Sequence, residues 1–244
     1  MRCYFDLHVH SALSPCADDE MTVADIAQMA AIKGLDFIAV TDHNSLRNCP
    51  GFHKACQRVG VVPVPGAEVC SAEEVHLLCL FPSVGSAMDF DDALYRSLPD
   101  INNRTDIFGR QLIMDEWDNI VGEEPRLLSG ASKMDLFAID REVTGRGGIV
   151  IPSHIEKPAF SLLSNLGFVP PDPDFCAFEV QRKEKIHSLL QENHQLFGKN
   201  LLCNSDAHAL HLIKERENTV EVAEKSPEAL LASLRCYGTV LLGE

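Results

Sequence analysis

Residues 4–20 read YFDLHVHSALSPCADDE. A β-forming run leads straight into two imidazoles, His8 and His10, and then into a knot of acids, Asp18 and Asp19, beside Cys16. In an extended strand, residues i and i+2 point to the same side. His8 and His10 can therefore share one metal ion, provided that other ligands converge on the end of the same strand. A single HxH is weak evidence for this, so the partners must come from elsewhere in the chain.

Working outward from that stretch, strand-like and helix-like segments alternate. TVADIAQMAAIKG (22–34) carries Thr22 as an N-cap, apolar residues at helical spacing and Gly34 as a stop, which predicts a helix. LDFIAVTDH (35–43) reads as a buried strand and PGFHKACQRVG (50–60) as a short helix. VVPVPGAEV (61–69) and EVHLLCLF (74–81) read as strands. So do GGIVIPSH (147–154), FCAFEVQ (175–181) and NLLCNSDAH (200–208). KIHSLLQENHQLFG (185–198) and SPEALLASLRCYG (226–238) read as helices, and TVLLG (239–243) follows. Apolar strands separated by helices imply a parallel sheet covered on both faces. About seven of them suggest an α/β barrel, whose functional groups gather at the C-terminal strand ends. Residues 85–145 break the rhythm with a long acidic stretch, expected to be an insertion over the site mouth within a single domain spanning residues 1–244.

Composition narrows the function classes. The 244 residues include 36 Asp and Glu against 21 Lys and Arg, a formal net charge of −15, which leaves no broad basic field for long duplex nucleic acid. Nine cysteines without a CxxC pair argue against a disulfide framework and a zinc ribbon. They are expected to be reduced and mostly buried. No apolar run is long enough to cross a membrane. The N-terminus carries His and Asp where a leader would have its apolar core, so a cytoplasmic location is expected.

The strand ends carry the chemistry: His8 and His10, Asp42 and His43, Glu68, His76, His154, then Asp206 and His208. Imidazoles and carboxylates brought together from separate elements make metal sites. DLHVHS, VTDHNS, PGAEV, EVHLLCLF, IPSHIEKP and NSDAH, in this order from residue 6 to about 211, resemble the successive motifs of the PHP (polymerase and histidinol phosphatase) family.

The resemblance implies a distorted (β/α)7 barrel with two to three divalent ions (zinc, manganese or iron). One metal would take His8, His10, Glu68 and Asp206. A second would take the bridging Glu68 with His76 and His154. A third would take His43, His208 and an acid from the loop after the first strand. In that loop the usual motif places Asp where this chain has Pro15, and about three residues are inserted before Met21. Asp18 is the expected ligand, with Asp19 and Cys16 as competitors; a thiolate would favour zinc, whereas a carboxylate also suits manganese or iron. His53, His187, His194 and His211 are left as surface or core residues.

Such a cluster suits hydrolysis at phosphorus through a metal-activated hydroxide. Glu68, Asp206 and His208 are the expected catalytic residues, and Asp42 is expected to orient His43 or its neighbouring backbone. Lys157 and Arg182 are the expected substrate-binding cations, followed by Lys183, Arg104 and Arg110. The expected substrate is a phosphate ester of a small metabolite, a nucleotide or the end of a short oligonucleotide. The alternative is a non-catalytic PHP module that binds or scaffolds.

Overall fold

The structure, a computed structural model, describes residues 1–243. Its strands are β1 (Arg2–Val9), β2 (Phe37–Val40), β3 (Val62–Pro63), β4 (Gly66–Cys70), β5 (His76–Leu80), β6 (Leu112–Met114), β7 (Ile120–Glu123), β8 (Ile149–Pro152), β9 (Ala177–Glu179), β10 (Asn200–Leu202), β11 (Asn218–Glu221) and β12 (Val240–Leu242). The helices are α1 (Val23–Lys33), α2 (Cys49–Val59), α3 (Val84–Ser97), α4 (Thr105–Phe108), α5 (Leu136–Thr144), α6 (Leu162–Asn165), α7 (Ile186–Glu192) and α8 (Pro227–Arg235).

The fold is mixed α/β. Its strands form four sheets, in the orders β12-β11-β1-β2-β3, β4-β5-β8, β9-β10 and β6-β7. The expectation of a uniformly parallel sheet is only partly met. β1, β2 and β3 run parallel, as do β9 and β10, but β5 is antiparallel to both β4 and β8. Among the described residues, the ladders do not close into one continuous barrel. The sheets instead meet through single bonds. His10 N donates to Ala207 O (2.9 Å), Asn44 N to Glu68 O (2.9 Å) and Ile155 N to Glu179 O (2.9 Å).

Alternation on the strands explains the packing. Leu78 and Leu80 of β5 and Ile149 and Ile151 of β8 join Phe5, Leu7, Phe37, Ala177 and Leu202 in one core shared by three sheets. The intervening Leu77, Cys79 and Val150 face the other way, against Phe90 and Leu94 of α3 and Ile139 of α5. LLCL, residues 77–80, is therefore apolar throughout because both faces of β5 are buried. α1 and α2 cover the β1–β2 side through Ile26, Ala30, Phe52 and Cys56. α1 begins as expected: the Thr22 hydroxyl accepts from Asp25 N (3.4 Å), and Gly34 ends it in the left-handed region, φ 71°.

The segment 85–145 does not stand apart. α3 and α5 pack into the same core as β4 and β5. Asn44 ties the segment to the β2 end by donating to Leu128 O (2.6 Å) and Gly130 O (2.8 Å). Among the described residues, no helix is long and apolar enough to cross a membrane. All nine cysteines are free; six are buried, Cys176 is half-buried, and Cys16 and Cys236 are exposed.

Candidate metal centre

Eight of the nine expected ligands meet in one place. His8 ends β1 at its C-terminal side, with His10 just beyond. His43 follows β2, His154 follows β8, and Asp206 and His208 follow β10. Two ligands reach the site differently from the expectation that all would lie at C-terminal strand ends. Glu68 lies in the middle of β4, where it bridges to His43. His76 opens β5. Because β5 runs against both neighbours, its first residue lies beside Cys70 at the end of β4 and near Pro152 at the end of β8.

Glu68 is the hub and is almost wholly buried. Its Oε1 lies 3.3 Å from His8 Nε2, 3.1 Å from His76 Nδ1 and 3.1 Å from His154 Nε2. Its Oε2 lies 3.5 Å from His10 Nε2 and 3.1 Å from His43 Nδ1. Asp206 Oδ1 sits 3.3 Å from both His8 Nε2 and His10 Nε2, and Asp206 Oδ2 bonds Lys157. Three donor groups have ligand atoms within 4.8 Å of one another: His8, His10 and Glu68; His43, Glu68 and His76; His10, His43 and His208. These groups redraw the expected partition: His10 and His43 each stand in two of them, as Glu68 does, while His154 and Asp206 flank the cluster through Glu68 and through His8 and His10.

The surrounding hydrogen bonds fix which nitrogen of each ring faces inward. Asp42 Oδ1 accepts from Ser11 N (2.7 Å) and from the Ser14 hydroxyl (2.7 Å). With its proton given to Asp42, Ser14 Oγ accepts from His10 Nδ1 (3.0 Å) and His43 N (3.1 Å). Asp42 therefore acts on His10 through Ser14 as well as on the His43 backbone. His208 Nδ1 donates to Asp206 O (2.8 Å). Glu179, the last residue of β9, holds His8 Nδ1 with both oxygens at 3.0 Å. Glu179 also accepts from His154 N (3.1 Å) and Asn204 Nδ2 (2.8 Å). Its role was not read from the sequence, although a Glu ending an otherwise apolar strand was a visible signal.

These bonds leave the Nε2 atoms of His8 and His10 facing each other at 3.2 Å, with carboxylate oxygens beside both. Nitrogen and oxygen atoms this close need a shared proton or a metal ion between them, and the donor set of imidazoles and carboxylates suits a divalent metal. Two further signs fit. His154 Nδ1 is buried with no protein partner. His154 (φ 29°) and Asp206 (φ 54°) also hold left-handed backbone, the kind of strain that clusters at functional sites.

Titration follows the same geometry. Burial disfavours charge on Glu68, but His76 and His8 outweigh it and hold the carboxyl well below its ordinary range. Burial likewise opposes the charge of Asp206, and His8 and His10 hold that carboxyl low. For His8, burial is overcome by Glu179, Glu68 and Asp206, so its pKa is raised. His10 is driven well below the ordinary imidazole value by burial and by His43, which leaves its ring neutral and its lone pair available.

The remaining expectations fare unequally. Asp18 is exposed and its carboxylate belongs to none of the converging groups; only its backbone N–H reaches the site region, donating to His208 O (2.9 Å). The enlarged loop turns the side chain outward. Asp19 and Cys16 are exposed as well and stand in none of the three groups, but the Cys16 thiol hydrogen-bonds the His43 ring. Lys157 lines the central cavity of about 140 Å³ with His43, Glu68, His76, His154, Asp206 and His208. Arg182 does not: it is exposed, and only its backbone N–H is engaged, by Glu156 (2.9 Å). Lys183 pairs with Glu217, Arg104 with Asp106 and Arg110 with Glu123, none of them at the cavity. No lining residue comes from 85–145; Ala159 and Phe160 complete the wall instead. His53 and His187 bond Gln57 and Gln191, His194 stacks on Phe197, and His211 is exposed.

Comparison with known proteins places this geometry. A profile of the PHP domain matches residues 6–205. An error-prone DNA polymerase from Symbiobacterium thermophilum is 34% identical over 77 residues, which is 32% of this chain but 7% of the polymerase. The endonuclease Q structure from Pyrococcus furiosus, a lesion-specific endonuclease, superposes with a TM-score of 0.73 at 18% identity, over 99% of this chain and 58% of that one. A second endonuclease Q structure, in complex with a 27-mer duplex substrate with an abasic lesion at the active site, gives a TM-score of 0.70 at 20% identity, over 99% and 58%. A protein assigned as a metal-dependent phosphoesterase from Bifidobacterium adolescentis gives 0.52 at 16% identity, over 84% and 87%. The chain thus spans a little over half the length of endonuclease Q and a small part of the polymerase.

Proposed function

The chain belongs to the PHP domain family, and from that premise we propose that it is a metal-dependent hydrolase of phosphoric ester bonds, acting on a small phosphorylated metabolite, a nucleotide or the end of a short oligonucleotide. The observation that carries this reading is the convergence of six imidazoles, Glu68 and Asp206 in one cluster, four of the imidazoles and both carboxylates lining a cavity. We read the sheets, joined edge to edge, as a seven-stranded barrel-like ring within a single domain, with the centre at its mouth.

His8, His10, His43, Glu68, His76, His154, Asp206 and His208 would hold two to three divalent ions, zinc, manganese or iron. When bound, such ions supply Lewis acidity toward phosphoryl oxygens and lower the pKa of water. The rest falls to the chain's own groups. Glu179 and Ser14 orient His8 and His10. Lys157 is the one Lys or Arg among the cavity-lining residues, so it is the group placed to draw a phosphate in. Asp206 holds the Lys157 ammonium on one oxygen and faces the imidazoles with the other. We assign the loop donor beside His43 to Cys16 rather than Asp18.

The nearly complete ligand set favours an enzyme over a scaffolding module, since a binding role alone needs no such cluster. The net charge of −15 favours contact at a terminus over a broad duplex interface. Metal-loaded protein in a phosphate-release screen over phosphorylated metabolites, nucleotides and short oligonucleotides should release phosphate, and His10→Ala should abolish that release while leaving the fold intact. Turnover unchanged in His10→Ala would refute the site.

A further inference from the structure

Phe160 sits at the edge of the metal cavity in an uncommon state. It is 43% exposed, and its backbone is left-handed at φ 54°, a region that non-glycine residues seldom enter. The turn is fixed around it: Phe160 O accepts from His76 N (3.0 Å), and the Ser161 hydroxyl donates to Lys157 O (2.7 Å). The ring lies nearly parallel to that of His76, with centroids 4.8 Å apart and planes inclined by 22°. Apart from the imidazoles, it is the one aromatic ring in the cavity wall.

Cavity size says what such a ring is for. At about 140 Å³ the cavity is smaller than the roughly 300–1,000 Å³ of pockets that enclose a whole small molecule. It can take a phosphate among its metal ligands, while the body of the substrate stays outside, across the mouth. There the substrate meets Lys157 and the Phe160 ring, both of which line the cavity. A neighbouring groove of about 420 Å³ shares Lys157 but presents Lys185, Ser164, Ser188 and Glu192 beside its two leucines, a lining suited to sugar and phosphate more than to a flat apolar group.

We propose that Phe160 is a specificity-determining platform on which the nucleobase of a nucleotide stacks while its phosphate enters the metal cavity. The proposal rests on the phosphoesterase reading and narrows it to substrates that carry a base, whether a mononucleotide or the terminal residue of an oligonucleotide. Stacking on an aromatic side chain tolerates any base, since every base has a π face.

The test compares adenosine 5′-monophosphate, the dinucleotide pApA and ribose 5-phosphate, which keeps the sugar phosphate and lacks the base. The proteins are the metal-loaded wild type, Phe160→Gly and Phe160→Tyr. Glycine adopts the left-handed turn without strain, so it removes the ring and keeps the backbone bond to His76. Phe160→Gly should lower kcat/KM for a base-bearing substrate about 5- to 150-fold, the range of one stacked base, and leave ribose 5-phosphate within about twofold. Phe160→Tyr should retain the preference. A loss on AMP alone points to mononucleotides, and a larger loss on pApA points to oligonucleotide ends.

An equal loss on all three substrates would overturn the proposal, because the ring would then serve only to hold His76. Binding of the fluorescent 1,N6-ethenoadenosine 5′-monophosphate supplies a readout independent of turnover. If the wild type hydrolyses none of the substrates, the phosphoesterase reading fails. The platform then stands only if the fluorescent nucleotide binds more tightly than ribose 5-phosphate and loses that advantage in Phe160→Gly.

Discussion

Glu179→Gln tests whether the buried carboxylate behind His8 builds the metal centre. Glu179 serves three donors: His8 Nδ1 at 3.0 Å, His154 N at 3.1 Å and Asn204 Nδ2 at 2.8 Å. A glutamine has the same shape but only one accepting oxygen. If that oxygen stays on His154 N, the new NH2 group meets the Asn204 NH2 group, donor against donor. If it turns the other way, His154 N loses its acceptor. Either arrangement leaves one buried donor unpaired, at a cost of about 1–3 kcal/mol in stability. His8 also loses a charged acceptor, and loss of such an outer partner of a ligating imidazole typically weakens metal binding about 10- to 100-fold. Competition against a chromogenic chelator measures the affinity, and thermal unfolding of stripped protein measures the stability. Glu224→Gln, at an exposed position, is the control. Affinity equal to wild type in Glu179→Gln would refute the claim that Glu179 positions His8 for a metal.

Asp206→Ala should abolish phosphate release, because it removes the oxygen shared by His8 and His10 as well as the partner of Lys157; turnover within tenfold of wild type would remove Asp206 from the centre. Metal content by elemental analysis should fall in Cys16→Ser and stay unchanged in Asp18→Asn, and the reverse pattern would restore Asp18 as the loop ligand. In native, metal-free protein, a thiol reagent should modify Cys16 and Cys236 quickly and the six buried cysteines slowly, burial having pushed Cys49 up to about 12; metal should then protect Cys16 alone. Returning metal to stripped protein at about 100 times its Kd should stabilise the fold by about 2.7 kcal/mol, and no rise in Tm would count against a site formed in the native state.

The sequence made the local elements plain and the sheet less so. Thr22 and Gly34 bound α1 because capping chemistry is local. The direction of β5 was not legible: after His76 the strand is apolar at every position, and that pattern is the same whether a doubly buried strand runs parallel or antiparallel to its neighbours. The partner that decides the matter is β4, joined to β5 by a tight turn in which Ser71 N donates to Val75 O (2.9 Å). Five residues between two strands are too few for a crossover, so that separation was the readable sign of a hairpin. The segment 85–145 stood out as a long, acidic, partly helical break in the rhythm, and its α3 buries Phe90 and Leu94 at helical spacing in the core beside β4 and β5.

At the site, residue type was legible and role was not. Glu68 and Glu179 are both buried glutamates on strands, and nothing in GAEV or AFEV separates them. The difference lies in what surrounds each carboxylate. Glu179 faces a backbone N–H, a side-chain amide and the Nδ1–H of His8, groups that keep their protons at neutral pH, so its lone pairs are filled by donors and none is left for a cation. Glu68 faces five imidazole nitrogens, each of which can give up its proton and turn a lone pair toward the same point. A carboxylate ringed by permanent donors orients a ligand, whereas one ringed by titratable nitrogens becomes a ligand itself. That distinction is set by the partners that four separate strands bring together, and one strand read alone cannot carry it.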